Sequence, residues 1–128
     1  MSDGKQGKYY IATGDITSQY VDMYANYGHN DPTVWEMVPV KEQANAAQAK
    51  YGDPASPLYI PNYNVTVAIN GAGFNMQTGE PGGVLVMGGT EYHSIDHHGF
   101  FGLLKNGQAV IGTMNEYNTI YKGQVQEA

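Results

Sequence analysis

Val65, Val67 and Ile69 alternate with Thr66 and Ala68, and this period of two predicts a strand with one buried face. The run ends at Asn70-Gly71 and crosses a loop holding Gly73, Phe74 and Asn75. It then turns through Thr78-Gly79-Glu80-Pro81-Gly82-Gly83 into a second apolar run, Val84–Met87, which reads as the next strand. The stretch 65–87 is therefore expected to be the centre around which the rest is organised. Glycines at 71, 73, 79, 82 and 83 suit a loop at a strand end whose backbone closely approaches a ligand or a packed partner.

Upstream, Tyr9–Thr13 is rich in β-forming residues, and in Tyr20–Tyr24 the residues Tyr20, Asp22 and Tyr24 alternate with Val21 and Met23. Together they predict an N-terminal strand pair. Asn, Gly and Asp-Pro in 26–33 make a loop, and the short apolar segment Val34–Val38 places the only tryptophan, Trp35, as a core anchor. Pro39 stands where a helix can begin, and the Ala-, Gln-, Lys- and Glu-rich Val40–Tyr51 predicts one, with Gly52 as its C′ residue. Val40, Ala44, Ala47 and Tyr51 form a narrow stripe able to lie on a sheet, with Lys41, Asn45 and Gln48 facing water. Asp53–Asn62, with three prolines, is an extended loop.

Downstream, Gly88-Gly89 turns into a strand over Thr90–Ile95, and Asp96-His97-His98-Gly99 interrupts before Phe100–Leu104. Asn106-Gly107 fits the two φ > 0 positions of a two-residue type I′ turn, so Gln108–Thr113 pairs back on Phe100–Leu104. After Gly112 the pattern weakens, and Ile120-Tyr121 with Val125 allow a short edge strand or a small helix. The expected class is α+β: a mainly antiparallel sheet of about six or seven strands with one helix packed on it.

Length and charge narrow the functional classes. A chain of 128 residues supports one domain with one core, read as 9–128 after a flexible leader at 1–8. Six basic against twelve acidic residues lack the electrostatic footprint of a nucleic-acid binder and suit an anionic membrane surface no better. The absence of cysteine excludes disulfides and thiolate metal sites, and no apolar run is long enough to span a membrane. Eleven tyrosines join an apolar ring to a polar hydroxyl, which suits surfaces that meet carbohydrate or a second protein, self-association included, and equally suits the outward rows of strands.

Three of the four histidines fall in Glu91–His98, with Glu91 and Asp96 beside them. This set could ligate a zinc-like ion, hydrogen-bond in a loop, or supply His93 or His97 as a general acid or base near neutrality. We assign no metal and no cofactor from the sequence. Glycines 79, 82 and 83 could turn backbone N–H groups to a phosphodiester, and Glu80 and Asp96 are the acids nearest these loops. His93, Glu80 and Asp96 are accordingly the candidate catalytic groups.

INGAGFNMQTGEPGGVLVMGGTEYH, followed by FFGLLKNGQAVIG, resembles the central part of the phosphodiester glycosidase family across about residues 60–113. The shared order is a hydrophobic strand into Asn-Gly, a phenylalanine-bearing turn, Thr-Gly-x-Pro-x-Gly, a second strand, and a Phe-rich strand into a Lys-Asn-Gly turn. Gly73 replaces one member of the family's phenylalanine pair, Ala72 fills a position acidic in some relatives, and the family's Asp-Gly-Gly-Gly-Ser segment is absent from the 128 residues. The resemblance implies a hydrolase acting on sugar-1-phosphodiesters of a cell-wall polymer or exopolysaccharide, outside the cell or at its surface in a bacterium or phage. It places a substrate-contacting asparagine at Asn70 beside Gly71. Asn75, Gly82, Gly83 and His97 complete the expected binding set, and Asn70 and His93 are expected in one cleft. The alternative is a catalytically inactive glycan-binding or self-associating module of the same fold, and the missing segment tilts the isolated chain towards no turnover.

Overall fold

The computed structural model describes residues 7–8, 10–28, 34–95 and 99–128. Its class is α+β with antiparallel sheets, as the sequence predicts. Helix α1 spans Val40–Gly52, and β1 (Val84–Met87) and β2 (Thr90–Ser94) form a hairpin closed by Gly88-Gly89. Strands β3 (Gly99–Leu104), β4 (Ala109–Thr113) and β5 (Val125–Glu127) make a second sheet in the order β4-β3-β5. Between β4 and β5 lie α2 (Met114–Glu116) and a π-helical turn, Tyr117–Tyr121.

The last strand joins the two sheets. Val86 and Ala128 exchange N–H···O bonds of 2.9 and 3.0 Å, and the Gly89 N–H donates to the Gln126 carbonyl at 2.8 Å. On its other side β5 pairs with β3, Leu103 facing Glu127 and Leu104 facing Val125. The segment read as a weak edge element thus becomes a central strand, flanked on both sides. Its carboxylate at Glu127 is buried and accepts the Gly88 N–H at 2.9 Å and the Ala25 N–H at 3.0 Å, which ties the N-terminal segment to the β1–β2 turn.

The core lies against this junction. Val86, Phe100, Leu104, Met114, Tyr117 and Val125 are buried together, with Val84, Val110, Tyr121 and Ala128 packed around them. Phe100 meets the ring of Tyr117 edge-on at 5.2 Å and that of Tyr121 at 5.8 Å. The helical segment that carries both tyrosines starts at a capping box. The Thr113 hydroxyl accepts the Glu116 N–H, and the Glu116 carboxylate accepts the Thr113 N–H.

Five expectations are corrected. Val65–Ile69 forms no strand, with Val67 57% and Ile69 81% exposed. Alternation supplies one apolar face, but a strand also needs a partner for its N–H and C=O groups, and the tight turns at Gly88-Gly89 and Lys105–Gly107 pair 84–113 with themselves instead. The same reason removes the expected strands at Tyr10–Thr13 and Tyr20–Tyr24 (Tyr9 lies outside the described residues). Helix α1 ends one residue later than expected, at Gly52 with Asp53 as C-cap. Gln48 does not face only water: it accepts the Val65 N–H at 2.8 Å, while Ile60 N–H donates to the Tyr51 carbonyl, so the helix leans on the loop that follows it.

The fifth correction concerns the β3–β4 turn. Among described non-glycine residues only Asn62 has positive φ, so Asn106 cannot fill a type I′ position. Leu104 accepts the Gly107 N–H and donates to the Gln108 carbonyl, both at 2.8 Å, with Gly107 at φ 84°. This is a three-residue loop, a turn followed by a left-handed glycine.

Two tests follow from the position of the core. Val125→Asp should prevent folding, because a buried unpaired carboxylate costs several kcal/mol against a total of about 5–15. Val67→Asp should shift stability by only about 0.5 kcal/mol or less, since the side chain is already wet. Circular-dichroism melts of the two variants check the contrast, and equal effects would contradict the core described above.

The second test uses pH. Burial raises the Glu127 carboxyl above its ordinary value, and the N–H groups of Ala25 and Gly88 offset this only in part. A raised acid contributes fully below the unfolded value of about 4.3 and loses that contribution as pH rises through the folded value. Glu127→Gln cannot titrate and sets its amide NH2 against one of those backbone donors, at a cost of about 1–3 kcal/mol. Urea unfolding of both proteins should show the wild-type advantage largest near pH 4, falling with rising pH and then levelling. An advantage that grows with pH would contradict the assignment.

Candidate functional site

The loop between Gly73 and Gly83 folds as a small hairpin. Phe74 and Pro81 bridge, the Asn75 N–H donates to the Glu80 carbonyl at 2.8 Å, and the Gly79 N–H donates to the Asn75 carbonyl at 2.8 Å. The Asn75 side-chain oxygen accepts from Gln77 N–H at 2.8 Å and Thr78 N–H at 3.4 Å, so this asparagine shapes the loop that presents it. Gly79 sits at φ 78° against the Glu36 backbone, where an added Cβ would come within 2.8 Å. The Tyr27 hydroxyl seals this contact by donating to the Gly79 carbonyl while accepting the Glu36 N–H.

Strand β2 supplies the other wall. Leu85 faces His93 and Val86 faces Glu91, so Tyr92 is an extra residue and β2 bulges there. On one side of the bulge Glu91 accepts from the hydroxyls of Tyr117 and Ser94 and pairs with Lys122 at 3.1 Å. Burial alone would raise the Glu91 carboxyl, but these three donors hold it below its usual range. Tyr117 moves the opposite way, its hydroxyl raised by burial and by the Glu91 charge.

On the other side His93 is buried, with Nδ1 2.7 Å from the Gly83 carbonyl and Nε2 3.3 Å from Glu80 Oε1. The ring of Trp35 stands edge-on to the imidazole at 5.7 Å, and Tyr27 backs Trp35 at 5.2 Å. A carbonyl only accepts, so Nδ1 carries a hydrogen, and a hydrogen bond at the Nε2–Glu80 contact requires a second proton. The two side chains meet at the edge of a cleft of about 260 Å³. That cleft is lined by Asn75, Glu80, Pro81, Gly82, His93 and Ile95. Glu80 is the more open partner, its side chain 39% exposed against 7% for His93.

Of the residues singled out in the sequence, His93, Glu80, Asn75 and Gly82 meet at this cleft, and Gly83 does not line it but holds His93 through its carbonyl. Asn70 and Gly71 are exposed and do not line it, so the expected pairing of Asn70 with His93 in one cleft is not what the fold makes. Asp96 and His97 lie outside the described residues. Of the three glycine N–H groups expected to form an anion nest, two are used inside the loop: the Gly79 N–H by the Asn75 carbonyl and the Gly82 N–H by the Gly73 carbonyl at 2.7 Å. Among the described residues no cluster of three or more metal-ligating side chains occurs, and no helix is long and apolar enough to cross a membrane.

Trp35, Tyr27 and Ile95 were not foreseen at the site. Trp35 is only half-buried, and it anchors the imidazole rather than the core. Comparison of the chain with protein-family models, curated proteins and solved structures gives no match.

Gly79→Ala should destabilise the protein by about 1–3 kcal/mol, from the left-handed backbone and the clash with Glu36 together. Gly71→Ala should be near neutral, because open space surrounds its Cα. Denaturant titration compares them, and equal behaviour would remove the Gly79–Glu36 contact from the site.

Proposed function

We propose that the chain is a carbohydrate-acting domain of the phosphodiester glycosidase type. Its substrate would be a sugar-1-phosphodiester of a cell-wall polymer or exopolysaccharide, met outside the cell or at its surface. One observation supports this reading above the rest: the His93 imidazole, fixed by the Gly83 carbonyl, meets the Glu80 carboxylate at the wall of an open cleft. In the reaction, water attacks the anomeric carbon as the bond to the phosphate oxygen breaks. The water's proton passes to the Glu80–His93 pair, and the phosphate monoester departs as an anion that needs little protonation. The Asn75 side chain lines the cleft, and in this reading its amide nitrogen would meet a sugar hydroxyl. Asp96 and His97 follow Ile95 directly in sequence and are the further groups this reading assigns.

A second reading, a glycan-binding module without turnover, draws on a different observation. The Gly79 and Gly82 N–H groups are spent inside the loop and Asn70 stands away from the cleft, so the donors expected to grip a phosphate are elsewhere.

Release of reducing sugar from an aryl sugar-1-phosphodiester separates the two. If the first reading holds, Glu80→Gln lowers turnover by about 100-fold or more, the usual scale of general acid–base catalysis, with an unchanged melting temperature. Wild type that binds glycan in titration calorimetry without turnover supports the second reading. Neither turnover nor binding overturns both.

A further inference from the structure

Apart from the cleft, the surface feature with the clearest chemistry is the outer edge of β4. Main-chain pairing puts Leu104 opposite Gln108 in a hydrogen-bonded pair, so Gly102–Val110 and Phe100–Gly112 are bonded pairs as well. Ala109, Ile111 and Thr113 therefore turn their N–H and C=O groups away from β3. The Thr113 N–H is covered by the Glu116 carboxylate, but among the described residues no strand lies on the outer side of β4 to pair with the outward groups of Ala109 and Ile111. Ile111 is 83% exposed and faces Phe101, itself 48% exposed, across the hairpin. The other outer strand, β2, is blunted by its bulge at Tyr92 and by the Glu91–Lys122 pair. Strand β4 has no bulge, proline or charge.

We propose that β4 is a self-association edge whose occupant is β4 of a second copy, paired antiparallel about Ile111. Outward main-chain donors and acceptors call for another strand, and the arrangement closes under a two-fold axis. In that register each Ile111 N–H meets the Ile111 carbonyl of the other copy, and each Ala109 N–H meets the other copy's Thr113 carbonyl. The covered Thr113 N–H is the donor the dimer does not use. The two Ile111 side chains then stand side by side, and Phe101 of each copy extends the apolar row. Charge favours the pairing. No ionisable side chain other than a lysine and a glutamate flanks the strand, Lys105 before it and Glu116 after it. Antiparallel alignment brings the Lys105 end of one copy to the Glu116 end of the other, despite a net charge of −6 per chain.

Sedimentation equilibrium over a concentration series tests this, with the chain mass of 13.9 kDa as reference. Wild type should approach twice that mass as concentration rises. Ile111→Lys should remain monomeric with an unchanged circular-dichroism spectrum, and Ile111→Pro, which removes only an outward N–H, should do the same. Ile69→Lys alters an equally exposed isoleucine elsewhere and should dimerise like wild type. A wild type that stays monomeric overturns the proposal. So does a dimer that survives both Ile111 variants, or one lost equally with Ile69→Lys. If one Ile111 variant misfolds, the other decides.

Discussion

Glu127 occupies the point where three parts of the chain meet, and its environment explains why it is an acid. The Gly88 N–H belongs to a tight turn and the Ala25 N–H to a segment without regular structure, so neither has a ladder partner. Leaving both buried and unbonded would cost more than desolvating one carboxyl that accepts from each. The strand that carries Glu127 is also the one that joins the sheets. Its backbone bonds to Val86 and Gly89 on one side and pairs with Leu103 and Leu104 on the other. Without β5 the β1–β2 hairpin and the β3–β4 hairpin would be separate two-stranded ribbons, which are at best marginally stable in water.

The cleft inherits its geometry from that junction at one remove. β1 is fixed by β5, and β1 fixes the register of β2, including the bulge at Tyr92. The bulge separates two carboxylate neighbourhoods: Glu91 is committed to Tyr117 and Lys122 at the core, while His93 faces Glu80 and Trp35. The opposite wall does not depend on the sheet. It is a loop locked by its own Asn75 and by the contact of Gly79 with Glu36, with Tyr27 bridging both. One side chain of the dyad is thus held by a sheet and the other by a loop.

What the sequence made legible divides along the same line. Gly88-Gly89 and Lys105-Asn106-Gly107 are local signals, and the hairpins they close appear where the pattern places them. The first is a two-residue turn, and the second differs only in loop length. Helix α1 is local too, set by Pro39 and its composition. Val65–Ile69 carries a strand's alternation, yet nothing in its own residues reveals whether a partner strand exists. Val125–Glu127 shows the converse: three residues with little pattern become central because two other strands need an edge filled.

The site obeys the same logic. Glu80, His93 and Asn75 were readable as chemistry because they sit beside glycines at strand ends. Trp35 reads as core because an isolated tryptophan among Val34, Met37 and Val38 has no sequence mark that sends it to a histidine. The expectation of Asn70 in the cleft rests on its ending a predicted strand. Once that strand is absent, the placement has no support, since only the fixed end of a strand would carry Asn70 to His93. Glycine content alone suggests N–H groups free for an anion, yet a ten-residue hairpin such as 73–82 must first satisfy its own backbone. The Gly79 and Gly82 N–H groups are therefore spent inside the loop before any phosphate could meet them. What the described cleft offers a ligand is then its side chains, with the His93–Glu80 contact and Asn75 at its wall.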